Sequence, residues 1–294
     1  MNRKDFISTL ALGSLMGTSK SLASLENVLK DFPKTSKMPV LFLGHGSPMN
    51  AVEDNEFVRG FRQMGKALAR PTAIVCVSAH WETKGTKVTA MEQPRTIHDF
   101  GGFPKALYDI EYPAPGQPEL AKEIVGLYPS DIIEQDHEWG LDHGAWTVIR
   151  HMYPDADIPI VQLSLDYRKS AREHYDIARQ LSSLRHKGVL LVGSGNVVHN
   201  LRMVAWDKMH VENYAFDWAV EASEKIKSFI LKGDMNSLID YQSMGRAFQL
   251  AIPTPEHYLP LLYALSLKEK DDKIKFFNDK ALGGSLTMTS VFIG

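Results

Sequence analysis

The segment VLFLGHGSP, residues 40–48, decides the fold. Its apolar run, Val40-Leu41-Phe42-Leu43, is too short and too continuous for an amphipathic helix. It reads as a strand buried on both faces, as in a parallel sheet. Gly44 and Gly46 allow a sharp backbone turn and Pro48 ends it, which leaves His45 at the strand's carboxyl end. Two further runs repeat the pattern. Ala73-Ile74-Val75-Cys76-Val77-Ser78 leads into Ala79-His80-Trp81, and Val189-Leu190-Leu191-Val192 leads through Gly193-Ser194-Gly195 to His199. In an open α/β sheet the strand carboxyl ends form one rim, and ligands bind along it. Histidines far apart in sequence then meet in space. His257, in Pro253-Thr254-Pro255-Glu256-His257, adds a fourth imidazole at an element end, and the set points to a metal site.

Working outward, strands and helices alternate from residue 38. Helical spacing runs over residues 55–69 (Phe57, Val58, Phe61, Met64, Leu68), and strands are expected at 72–78 and 87–91. Residues 93–116 are rich in Pro and Gly and carry Phe100, Phe103, Tyr108 and Tyr112, which marks an ordered flap. Beyond it come helices at 118–127, 145–152, 171–184, 211–231, 235–241 and 259–267. They alternate with strands at 132–133, 158–165, 188–193 and 285–293. No linker or internal repeat interrupts the series. The expected architecture is a single α/β domain, 38–294, with a central mostly parallel or mixed sheet flanked by helices and the metal site at the strand carboxyl ends.

Composition agrees with this reading. Hydrophobic residues make up 44% of the chain, enough for a sizeable core. The net charge is −2 with no basic stripe, which argues against a nucleic-acid partner. The lone Cys76 lies mid-strand and reads as a small buried hydrophobe, so no disulfide framework exists.

The first 23 residues differ in character. A short basic segment with Arg3-Lys4-Asp5-Phe6-Ile7 precedes a mildly apolar stretch, and Ser21-Leu22-Ala23 offers small residues for cleavage. The stretch is shorter than the ~20 residues a membrane span needs. It is similar to a twin-arginine export signal with lysine in the second place. The expectation is an exported, periplasmic protein with no membrane attachment after processing, and with 24–37 as a leader. An uncleaved N-terminal helix on a cytoplasmic protein is the alternative.

Among the other histidines, His151, His174, His186 and His210 lie in polar helix-like stretches and read as surface residues. His143 follows Asp142, which suits a helix cap, but capping gives no reason for the histidine. His137 stands equally close to the Gly140 turn, and chemistry alone does not rank the two.

Six motifs in order carry a resemblance. They are Gly44-His45-Gly46-Ser47-Pro48, Ser78-Ala79-His80-Trp81, and Thr96-Ile97-His98-Asp99-Phe100 with Gly102-Phe103-Pro104. Leu141-Asp142-His143-Gly144, Gly195-Asn196-Val197-Val198-His199-Asn200 and Thr254-Pro255-Glu256-His257-Tyr258 complete the set. Together they resemble the class III extradiol ring-cleavage dioxygenases, in the 4,5-DOPA extradiol dioxygenase-like branch. The resemblance implies one α/β domain, one non-haem Fe(II) or Zn(II) per chain, and cleavage of an L-DOPA-like catechol by O₂ beside its hydroxyls. It implies His45, His80 and His257 as metal ligands, with Glu256 beside the last. His199 matches either a further ligand or the acid–base histidine, and His143 a histidine close to metal or substrate. Four nitrogens closing a tetrahedron would suit structural zinc, whereas dioxygen chemistry needs vacant positions.

The same histidines could serve a zinc hydrolase with Glu256 or His143 as base, or a catalytically silent metal binder. Arg95, Lys105 and Arg246 are candidates for holding an acid group of the substrate. The sequence is compatible with a homo-oligomer.

Overall fold

A computed structural model describes residues 37–129 and 131–294. The export-signal and leader readings lie outside the described residues, Lys37 excepted. Fifteen principal elements follow one another: β1 (Val40–Gly44), α1 (Glu56–Ala67), β2 (Ala73–Thr83), β3 (Thr86–Thr89), α2 (Pro118–Gly126), β4 (Ile133–Asp136), α3 (His143–Met152), β5 (Ile160–Asp166), α4 (Ala171–Arg179), β6 (Val189–Gly195), α5 (Asp217–Lys232), α6 (Arg246–Ala251), α7 (Leu259–Ser266), β7 (Ile274–Phe277) and β8 (Ser290–Ile293). The eight strands form one mixed sheet in the order β4-β3-β5-β2-β6-β1-β8-β7.

The central strands β5, β2, β6 and β1 are parallel. Their side chains alternate between two cores. Val40, Phe42, Val75 and Val77 face one layer with Ile226, Phe248 and Leu262; Leu41, Leu43, Ile74 and Cys76 face the other with Phe61 and Trp146. Both faces are covered, which is why these strands read as unbroken apolar runs. The register sets Gly44 opposite Gly195 and Ser78 opposite Ser194, so His45 and His80 leave the sheet on either side of β6.

Several expected boundaries shift. β2 continues through His80 to Thr83, with its register against β5 slipping between Val77 and Glu82. His80 therefore lies in an irregular stretch of the strand rather than past its end. The helix expected from 211 begins at Asp217, because residues 215–216 pair with Gly284 instead. Of the strand expected over 285–293, only β8 joins the main sheet, while Leu286–Thr287 pairs with Ala281–Leu282. The helix α6 and edge strand β7 carried no clear periodic signal. His174 is not a surface residue: it is fully buried, bonded to the Tyr263 hydroxyl and the Asp166 carbonyl. His151 is partly buried, whereas His186 and His210 are exposed. Among the described residues, no helix is long and apolar enough to cross a membrane.

One buried ion pair ties the chain ends of the sheet together. Arg185 and Asp272 are both buried and joined at 2.6 and 3.1 Å, with Lys37 adding a contact to Asp272 at 2.7 Å. Burial alone would raise the Asp272 carboxyl, but hydrogen bonds from Arg185 and Lys37 prevail and hold it at about 2. A carboxyl lowered on folding adds stability above its unfolded value, and that share fades as pH falls toward 2. Asp272→Asn leaves the guanidinium buried without its charge partner. The expected loss is ~3–5 kcal/mol near neutral pH, with a flatter acid limb, read by urea denaturation at several pH values.

Candidate metal centre

Five imidazoles converge where the strand ends meet α3 and α7. His45 and His80 ring centroids lie 5.0 Å apart, and His257 is 5.2 Å from His45 and 5.0 Å from His80. His143 stands 3.9 Å from His80 and 5.8 Å from His45. The ligand atoms of His45, His80 and His257 all fall within 4.8 Å of one another. His80–Asp99–His143 and His199–Glu256–His257 form two flanking groups of the same tightness.

Local sequence explains each placement. A Cβ at Gly44 would stand 2.5 Å from the Met288 carbonyl oxygen, and Gly46 has φ +67°, so the turn around His45 admits little else. Ser47 then caps a short 3₁₀ turn, Pro48–Ala51. Asp142 caps α3 by accepting from the Ala145 amide, which puts His143 in the first turn. A Cβ at Gly195 would meet the His257 carbonyl oxygen at 2.2 Å, so that glycine lets the start of α7 close on β6. Gly144 is equally constrained, with a Cβ falling 2.5 Å from Ser78 Oγ and 2.8 Å from His80 Cδ2. Gly144→Ala is expected to destabilise the protein by ~1–3 kcal/mol and to displace His80, as read by urea denaturation and metal titration.

Four of the imidazoles face an oxygen at Nδ1. Ser194 Oγ donates to the Gly144 carbonyl at 2.5 Å, so at 3.0 Å it can only accept from His45 Nδ1–H. Glu256 Oε1 accepts from His257 Nδ1 at 3.1 Å. Asp99 Oδ2 lies 3.5 Å from His80 Nδ1. The same carboxylate grips His143 twice, Oδ1 from its amide and Oδ2 from its Nδ1, both at 2.8 Å. Nε2 of His45 and Nε2 of His80 face each other at 3.2 Å.

With His45 protonated at Nδ1, its Nε2 lone pair points at His80 Nε2, a contact that either a neutral His80 Nε2–H or a metal ion satisfies. Burial first, and the neighbouring imidazoles second, push His45 well below its ordinary value and His80 to about 3. Burial likewise lowers His257 strongly and His199 to about 4. The rings are neutral at pH 7 and available as ligands. A separation of 3.2 Å fits two nitrogens bound ~2.0–2.1 Å from one ion at an angle of about 100°. The donor set fits a divalent transition metal.

His199 stands differently. Its ring stacks on His257 at 3.5 Å between centroids and 8° between planes. Lone pairs lie in the ring plane, so two parallel rings this far apart cannot both aim at one ion ~2 Å away. In this arrangement the ligand atoms of His199 group with Glu256 and His257, and those of His45 and His80 with His257.

Residues 34–291 match the family described as the catalytic LigB subunit of aromatic ring-opening dioxygenase. The chain belongs to this family. It is therefore a metal-dependent aromatic ring-opening dioxygenase of the extradiol class, using O₂ and a small-molecule substrate, and the hydrolase and silent-binder readings find no support. Relatives include 4,5-DOPA dioxygenase extradiol of Escherichia coli K12, 50% identical over 272 residues, covering 91% of this chain and 99% of the relative. The Beta vulgaris protein of the same name is 32% identical, covering 85% and 94%. A crystal structure of an uncharacterized E. coli K12 protein superposes with TM-score 0.76 and 46% identity, covering 88% of this chain and all of that one.

The aromatic flap packs against this LigB-family site. Its short strand Arg95–Thr96 pairs with Gly140–Leu141, and Trp146 Nε1 donates to the Ile97 carbonyl at 2.9 Å. Phe100 lies 5.6 Å from His143, 5.5 Å from Phe103 and 5.2 Å from Tyr108. Tyr112 turns away into the core, donating to the Tyr153 carbonyl. His137 is exposed and outside the cluster, which separates it from His143. Arg95, Lys105 and Arg246 are all exposed, and Lys105 pairs with Asp109. Asp99 and Ser194 went unassigned in the sequence. Asp99 stands in the Thr96–Phe100 motif with no partner near it in sequence, and Ser194 reads as part of a glycine turn.

Proposed function

We propose that this protein cleaves an L-DOPA-like catechol at an extradiol bond, with one Fe(II) per chain held by His45, His80 and His257. The observation that supports the ligand assignment is the convergence of His45, His80 and His257, whose ligand atoms lie within 4.8 Å of one another. Fe(II) with three nitrogen ligands supplies open coordination positions and the redox chemistry that dioxygen needs. The chain's own residues bind, orient and shield. His199, outside the coordination sphere and neutral at pH 7, is the group to take a proton from a catechol hydroxyl and return it later. His143, its Nδ1 proton committed to Asp99, offers Nε2 as an acceptor to the second hydroxyl. Phe100, Phe103 and Tyr108 cover that side and exclude water. Zinc in the same site would lack the redox step.

Oxygen uptake by anaerobically Fe(II)-loaded protein with a catechol panel including L-DOPA, against a zinc-loaded control, tests the proposal. Iron-dependent uptake with a ring-opened product is the expected result. Absence of uptake across the panel from fully iron-loaded protein would overturn it. Export through residues 1–23, with 38–294 as the catalytic domain, is proposed on the basic-apolar-small pattern alone; the mass of the mature chain from a cell fraction tests it. The homo-oligomer is tested by sedimentation.

A further inference from the structure

A cavity of about 550 Å³ opens beside the 3₁₀ turn that follows His45, and none of the five clustered histidines lines it. Its charged and polar lining is Glu53, Asp54, Arg62, Lys66, Arg150 and His151. The charges around it do not cancel. Asp54 is shared by Arg59 at 3.4 Å and Arg62 at 2.5 Å. Arg150 is half-buried and donates to the Ala51 carbonyl, with no carboxylate in ion-pair reach among the described residues. Lys66 is exposed at the rim and likewise has no acidic partner among them. Glu53 holds the Asn55 amide at 3.1 Å. Four cations (Arg59, Arg62, Lys66, Arg150) thus meet two carboxylates, and the surplus falls on Arg150 and Lys66.

We propose that this cavity binds a small anion bearing carboxylate or phosphate groups. A half-buried guanidinium without a counter-charge is costly, and its planar fork matches two oxygens of such a group. Lys66 supplies a further donor from the rim. His151 donates Nε2–H to the Asn50 carbonyl at 2.8 Å, and burial keeps the ring neutral, so Nδ1 remains an acceptor. That acceptor favours anions that carry a hydroxyl or a protonated oxygen, as citrate and hydrogen phosphate do. The cavity wall also reaches the metal centre: the carbonyls of Asn50 and Ala51 hold His151 and Arg150, and Asn50 Nδ2 donates to the His45 carbonyl at 2.8 Å.

Titration calorimetry of the full chain with inorganic phosphate and, separately, citrate at constant ionic strength tests the proposal. Saturable binding of at least one is expected, and which one binds tells a phosphate ligand from a carboxylate ligand. Arg150→Gln should weaken binding at least about tenfold and Lys66→Gln about threefold, whereas Glu53→Gln should strengthen it. The bound anion should slow hydrogen exchange at the amides of residues 50–53. Lys66 is exposed and unpaired among the described residues, so its variant keeps the test valid if Arg150→Gln unfolds. Absence of saturable binding by both anions overturns the proposal, as does binding that neither variant changes.

Discussion

His257→Ala is expected to lose metal and ring cleavage together, whereas His199→Ala keeps the metal and loses turnover. The two rings touch face to face at 3.5 Å and the same side chain is removed from each, so the contrast bears on coordination. Removing a ligand from a three-nitrogen site should cost more metal affinity than the ~10–100-fold typical of losing an outer partner. Removing a general acid–base group costs ~10²–10⁴ in rate and leaves affinity near its starting value. Metal content after dialysis and kcat with Fe(II) in excess separate the two. Equal loss of metal from both variants would mean that the stack opens and both imidazoles ligate, which would restore the closed four-nitrogen site and make zinc the better occupant.

That contrast also marks how far the sequence could be read. The three apolar runs announced the parallel centre because strands covered on both faces must be apolar at every position. The glycines at 44, 144 and 195 stood near the histidines for a reason sequence cannot express: in each case a Cβ would strike a backbone or side chain brought from elsewhere in the chain. The same limit hid Ser194 and Asp99, whose partners lie 149 and 44 positions away. The His199–His257 stack was hidden as well, since motif order gives adjacency at a site but not ring orientation. Where periodicity misled, tertiary pairing had intervened, as at residues 214–216, which pair with Gly284 instead of extending α5.

Asp99→Asn is expected to lower kcat/KM by ~10–100-fold while the fold persists. One carboxylate serves the His143 amide, His143 Nδ1 and, at 3.5 Å, His80 Nδ1. Asparagine keeps one acceptor oxygen and replaces the other with an N–H donor. If its oxygen stays on the His143 amide, its N–H faces His143 Nδ1, which must then give up its proton. The ring switches tautomer, and Nε2 becomes a donor where a substrate hydroxyl needs an acceptor. A purely structural role for Asp99 would lower stability and metal affinity without altering that proton. Imidazole nitrogen chemical shifts in the zinc-loaded protein report the tautomer directly. A His143 that keeps its Nδ1 proton in the variant, with kcat/KM unchanged, would remove Asp99 from the positioning of substrate. A switched tautomer with zinc affinity reduced only modestly would place its main effect on His143. The longer contact to His80 would then be the weaker of its two holds, as the 2.8 and 3.5 Å distances require.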